Sequence, residues 1–105
     1  MLYNGQKIAK KKTHVKKRTL APVFNESFTF DLPNTSGADP SAVLSILEAI
    51  SFEFLVMDWD RVTKNEVMGR TDVGARSKTT IGRQHWDEMR KFPRKQIAEW
   101  HRLRP

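Results

Sequence analysis

The feature that most constrains this chain is the dipeptide Asn4-Gly5 in its opening stretch, MLYNGQKIAKKK. A two-residue type I′ turn needs φ > 0 at both central positions, and Asn-Gly is the pair that tolerates this best. The pattern predicts an antiparallel hairpin. Only Met1, Leu2 and Tyr3 stand ahead of the turn, where a strand usually runs to about 5–6 residues. The first strand of the hairpin is a stub.

Period-2 alternation continues beyond the turn. Read as a strand, Lys7–Lys17 places Ala9, Lys11, Thr13 and Val15 on one face and Lys10, Lys12, His14 and Lys16 on the other. Same-face side chains then sit about 7 Å apart, so several phosphates can be met at once. Ala21-Pro22 marks a turn. In SFTFDL, Phe28, Phe30 and Leu32 face one way and Thr29 and Asp31 the other, which predicts a half-buried strand ending at Pro33. Residues 34–42 read as a loop, and residues 43–49 hold at most a short helical turn. SFEFLVMDWD is apolar on both faces and predicts a central, well-buried strand. VMGRTDVG predicts another, with Gly69 at a bulge or a close backbone approach. GRQHWDEMRKF predicts a helix over 82–92, with Trp86 and Met89 inward and Pro93 as its stop. IAEWHRL alternates as a closing strand. At 105 residues this is one domain at most. The chain reads as mainly β: an antiparallel β-sandwich of about five strands with one short helix before the last strand.

Charge is distributed unevenly. The formal net charge is +7, and all 12 acids lie at Glu26 or later. Lys7, Lys10, Lys11, Lys12, Lys16, Lys17 and Arg18 are seven of the 19 bases, and the other 12 balance the 12 acids. One short segment carries the whole excess. A basic patch on a neutral body suits phosphoinositide or phosphatidylserine head groups, nucleic acid or an acidic protein surface. The lysine segment has no aromatic residue on which bases would stack, which counts against nucleic acid. No apolar run approaches the roughly 20 residues that span a bilayer, so membrane contact by this chain is peripheral. The chain has no cysteine, which excludes disulfides and thiolate metal sites and fits a reducing compartment.

Catalytic chemistry has no residues to carry it. There is no cysteine nucleophile or nucleophile-elbow glycine pattern, and His14, His85 and His101 lack metal-ligand spacing. His85-Trp86 and Trp100-His101 read as aromatic packing positions. Asp58 and Asp60 project to one side at a strand end, with Glu66 beyond a short loop. Carboxylates held together repel unless a cation joins them, and calcium takes such hard ligands. The alternative is a polar loop capped and paired by Arg61 or Lys64.

Three segments, KKKTHVKKRTLAPVFNESFTFDLP, ISFEFLVMDWDRVTKNEVMGR and QHWDEMRKFPRKQIAEWHRL, together resemble C2B, the second C2 domain of synaptotagmins. KKKTHVKK, EFLVMD and FPRKQIAEWH are most similar to the synaptotagmin four and eleven subgroup. Residues 34–48 are longer than the family's usual connection. The resemblance implies a Greek-key sandwich in which the Asn-Gly turn joins the third and fourth of eight strands. On that reading residues 1–105 are a partial C2 domain lacking the first strands and the first calcium loop. Phe28, Phe30, Phe52 and Phe54 are then expected to be uncovered and the isolated chain marginal in solution. A cooperative thermal transition above about 50 °C would count against this.

The resemblance also implies site roles. Asp58, Asp60 and Glu66 would form one half of a calcium site. The longer Glu66 and the lack of the partner loop leave calcium binding weak or absent. Arg61 and Val62 match the loop tip that meets lipid. Lys10, Lys11, Lys12, Lys16 and Lys17 match the face that binds anionic phospholipid and acidic SNARE or adaptor surfaces. Arg94 and Lys95 match a second basic pair at the opposite end, although helix C-terminal charge matching explains them as simply. The implied function is a peripheral membrane-binding module in vesicle trafficking or exocytosis, at the cytoplasmic face of a vesicle or the plasma membrane. Its parent would carry a membrane anchor. The alternative is a calcium-independent protein-interaction module.

Overall fold

The computed structural model describes residues 1–17, 19–58 and 66–105, Glu66 by its backbone alone. Its elements are β1 (Leu2–Tyr3), β2 (Gln6–Lys7), α1 (Pro40–Ala49), β3 (Ile50–Asp58), β4 (Glu66–Gly74) and α2 (Thr80–Lys91). The four strands form one antiparallel sheet in the order β2-β1-β3-β4.

The hairpin forms where the Asn-Gly pair requires it. Asn4 has φ 50° and Gly5 φ 80°, both in the region a type I′ turn demands. Leu2 pairs with Lys7 and Tyr3 with Gln6, and β1 docks on the start of β3 through Leu2–Ser51 and Tyr3–Ile50. β3 and β4 then pair over their whole length. The register slips between Val56, opposite Gly69, and Met57, opposite Val67, so Met68 is the extra residue of a bulge. The expected special role of Gly69 also has a steric side: a Cβ there would stand 2.9 Å from Leu103 Cβ.

Both helices are capped by their sequence. Asp39 caps α1, its Oδ1 accepting from the Ala42 N–H at 2.8 Å, and Pro40 follows with its φ already suited to the first turn. Thr79 caps α2 and accepts from the Gly82 N–H at 3.0 Å. Arg90 and Lys91 lie in the last turn of α2, where cations oppose the helix dipole.

The core lies on one face of the sheet. Met1, Ile46, Ile50, Val73 and Trp86 are buried, with Tyr3, Phe30, Leu32 and Phe52 packed against them. Phe52 and Val73 are cross-strand partners and so share that face. Trp86 is 4% exposed, stands 5.9 Å from Phe52 between ring centroids, and donates its indole N–H to the Leu47 carbonyl at 3.1 Å. That one side chain ties α2 to β3 and to the end of α1.

Several expectations are corrected. The sheet has four strands and stands with two helices, not five strands and one helix. β2 ends at Lys7: beyond it Ile8 and Ala9 exchange backbone hydrogen bonds with Met1, and no backbone among the described residues pairs with Lys10 onward. A row of like charges along the remaining segment disfavours a strand as well. SFTFDL is no strand, because nothing among the described residues pairs with its backbone. Its alternation holds only in part: Phe30 and Leu32 pack on the core and Thr29 and Asp31 are exposed, but Phe28, expected on the core face, is exposed as well. β3 is central in order but not well buried, since β1 covers only its first two residues, and Phe54 is 52% exposed. The closing segment forms one antiparallel bridge, Arg70–Arg104, and no strand. Residues 43–49 belong to a full helix.

Candidate functional site

The basic segment leaves β2 at Lys7, is tied to Met1 through Ile8 and Ala9, and continues from Lys10 outside any strand or helix. Lys10, Lys11, Lys12, Lys16 and Lys17 are all exposed. Two ties hold the segment against residues 26–30. The Lys11 ammonium donates to the Thr29 carbonyl and stands 5.3 Å from the Phe30 ring centroid, within cation–π range. The His14 N–H donates to Glu26 Oε2 at 2.9 Å, with Nδ1 at 3.2 Å from the other carboxylate oxygen. The backbone bond from His14 is the main cause holding the Glu26 carboxyl below its ordinary value. Lys10, Lys12, Lys16 and Lys17 form no ion pair with another described residue. Their charge faces solvent.

The acidic corner lies at the far end of the β3–β4 pair. Asp58 is the last residue of β3, exposed, and its register partner is Glu66. The bulge is one pair away. Asp60, Arg61 and Val62 lie outside the described residues, so of the three proposed ligands the backbone brings two opposite each other. Among the described residues, no three His, Cys, Asp or Glu side chains cluster in a way that would hold a metal ion.

Arg94 and Lys95 follow α2 in a tight turn closed by the Lys95 N–H to the Phe92 carbonyl at 3.0 Å. The Lys95 ammonium stands 5.6 Å from the Phe92 ring centroid. Lys91, Phe92, Pro93, Arg94 and Lys95 line a shallow surface depression of about 450 Å³. The basic segment and this corner are separate sites at opposite ends of the chain's course.

The residue pattern hid other contacts. Trp86 packs as expected, but Trp100 is 96% exposed. His85 and His101, sixteen residues apart, meet directly through Nδ1 and Nε2 at 2.7 Å. No local spacing rule brings those two rings together. Asp72 on β4 is a polar hub. Burial pushes its carboxyl up, but hydrogen bonds from Ser77 Oγ and the Lys78 N–H, with the Arg104 guanidinium at 3.5 Å, outweigh that and hold it below 3.8.

Comparison with known proteins agrees with this arrangement. The C2-domain family model matches residues 1–89. Synaptotagmin-11 of Mus musculus is 55% identical over 101 residues, covering 96% of this chain and 21% of that protein. Synaptotagmin-4 of Mus musculus is 50% identical over 103 residues, covering 97% and 22%. Synaptotagmin-6 of Rattus norvegicus is 43% identical over 103 residues, covering 98% and 18%. The chain thus spans about a fifth of the length of these relatives. It belongs to the C2-domain family, as a non-catalytic module homologous to the C2 domains of synaptotagmins.

Proposed function

We propose that this chain is a peripheral membrane-binding module of the C2B type, docking on anionic phospholipid through its basic segment. The observation that carries the reading is the segregation of charge. Lys10, Lys12, Lys16 and Lys17 are exposed on a segment outside any strand or helix and free of ion pairs with other described residues. Lys11 is fixed among them by Thr29 and Phe30. Homology to synaptotagmin C2 domains supports the same role. Each cation near a phosphatidylserine- or phosphoinositide-bearing surface is worth roughly 1 kcal/mol, and salt screens it within about 10 Å at 0.1 M.

On this proposal binding does not require calcium. Asp58 and Glu66 stand as cross-strand partners; Asp60 is the third carboxylate of the proposed ligand set, and Arg61 and Val62 are the residues proposed to meet lipid. Calcium takes 6–8 oxygens, which three carboxylates would reach only if all bound through both oxygens, so any affinity is weak. Arg94 and Lys95 offer a second contact for a membrane or an acidic SNARE surface. The work place is the cytoplasmic face of a vesicle or the plasma membrane.

Liposome co-sedimentation tests this, with and without phosphatidylinositol bisphosphate, each in calcium and in chelator. Binding should follow the phosphoinositide, ignore calcium, fall as salt rises and be lost in the Lys11→Ala/Lys12→Ala variant. Failure of a folded chain, judged by circular dichroism, to bind any anionic vesicle would overturn the membrane reading. The basic segment would then be assigned to an acidic protein partner.

A further inference from the structure

His85 on α2 and His101 in the C-terminal segment make a contact that lipid binding does not use. Their facing nitrogens, Nδ1 of His85 and Nε2 of His101, are 2.7 Å apart, the ring planes differ by 17°, and the centroids are 5.0 Å apart. Nitrogens that close with centroids that far place the rings edge to edge in nearly one plane. This is a hydrogen bond in line, and it requires one donor and one acceptor. A metal ion does not fit between, since it needs about 2.0–2.1 Å to each nitrogen.

The surroundings assign the protons. His85 Nε2 faces the Ile97 carbonyl at 3.1 Å, and a carbonyl only accepts, so Nε2 carries the hydrogen. In neutral His85, Nδ1 is then bare and accepts from His101 Nε2–H. That leaves His101 Nδ1 bare, and it is buried without a partner among the described residues. A proton added there becomes a buried N–H with no acceptor. Protonating both rings sets two donors and two cations against each other.

The pair fastens the segment that crosses the outer edge of β4. Arg70 and Arg104 exchange backbone hydrogen bonds of 2.8 Å each, and Leu103 lies over Gly69. We propose that the His85–His101 contact is an acid-released latch, which holds this segment on β4 near neutral pH and frees the strand edge when it is protonated.

Burial first, then the neighbouring His85, lowers the His101 pKa from its ordinary 6.5. Glu99 from the same segment and Asp72 from β4 pull the other way and do not prevail. Asp72 is itself engaged by Ser77, Lys78 and Arg104. The docked segment therefore binds fewer protons than the released one. Docking is fully supported above 6.5 and is lost as pH falls through the lower docked value. Release uncovers the N–H and carbonyl of Arg70, an open edge on which another strand can pair.

Amide hydrogen exchange by NMR, corrected for intrinsic rates and run from about pH 7.5 to about pH 5, reads the latch directly. The Arg70 and Arg104 amides should lose protection together as the His101 ring titrates, with a midpoint below 6.5. Amides in the body of the β3–β4 ladder should keep theirs. In His101→Phe, which keeps a planar ring but cannot titrate, protection at Arg70 and Arg104 should no longer depend on pH. Unchanged protection at Arg104 across the range in the unaltered chain would overturn the proposal. So would simultaneous loss throughout the β3–β4 ladder, or an identical acid response in His101→Phe.

Discussion

The body formed by α1, β3, β4 and α2 differs from the basic segment in how each acquires its shape. In the body, backbone groups are satisfied by helix and ladder, and apolar side chains converge on Trp86, Ile50 and Val73. The segment from Lys10 to Lys17 has no ladder among the described residues. It is positioned by Lys11 on Thr29 and Phe30 and by His14 on Glu26, all exposed contacts. The body spends its side chains on itself, whereas the segment leaves most of its cations for a partner. Burial keeps an element in place without a ligand. A charged strip held by two exposed contacts stays adaptable, which suits a surface that must meet variable arrays of phosphates.

This contrast can be broken most severely from the body's side. Trp86→Ala removes the side chain that joins α2 to Phe52 and Leu47. Burial of this kind is worth about 3–5 kcal/mol, a large share of a total of about 5–15 kcal/mol. Denaturant unfolding should show that loss, and the tryptophan near-ultraviolet signal should collapse. A drop no larger than that of an exposed substitution would mean that Trp86 is not the keystone.

A milder change separates the helix from the sheet. Asp39→Ala deletes the cap of α1 and should lower stability by about 1 kcal/mol. The same chemical denaturation measures it, and Asp39→Asn, which can still accept the Ala42 N–H, should recover most of the difference. Equal losses in both variants would assign the effect to charge, not to capping.

The smallest effect belongs to the basic segment. Glu26→Gln weakens the hold on His14 but touches no core residue, so the thermal midpoint should not move. The amides of residues 13–15 should instead exchange faster, while those of β3 and β4 do not. A shift of the midpoint would show that the segment is part of the cooperative body after all.

How much was legible follows the range of each interaction. The Asn4-Gly5 turn, β3, β4 and α2 depend on neighbouring residues, and their patterns hold. The Asp39-Pro40 cap was equally local, but the polar run 34–42 read as a loop and obscured the start of α1. The alternation in SFTFDL foretold that Phe30 and Leu32 meet the core but not that Phe28 stays exposed, and side-chain period says nothing about whether another backbone lies alongside. The same gap explains the Lys7–Lys17 and Ile97–Leu103 segments, whose alternation is not accompanied by pairing.

The sequence by itself determined the hairpin turn, the principal strands, the helix around Trp86 and the concentration of charge, because each is set by φ preferences, side-chain periodicity or composition within a few residues. Only the tertiary structure decided which extended segments became strands, that Trp100 stays in solvent, and that His85 meets His101. Those outcomes depend on partners far along the chain, and hydrogen-bonding and burial act on distance in space, whatever the separation in sequence.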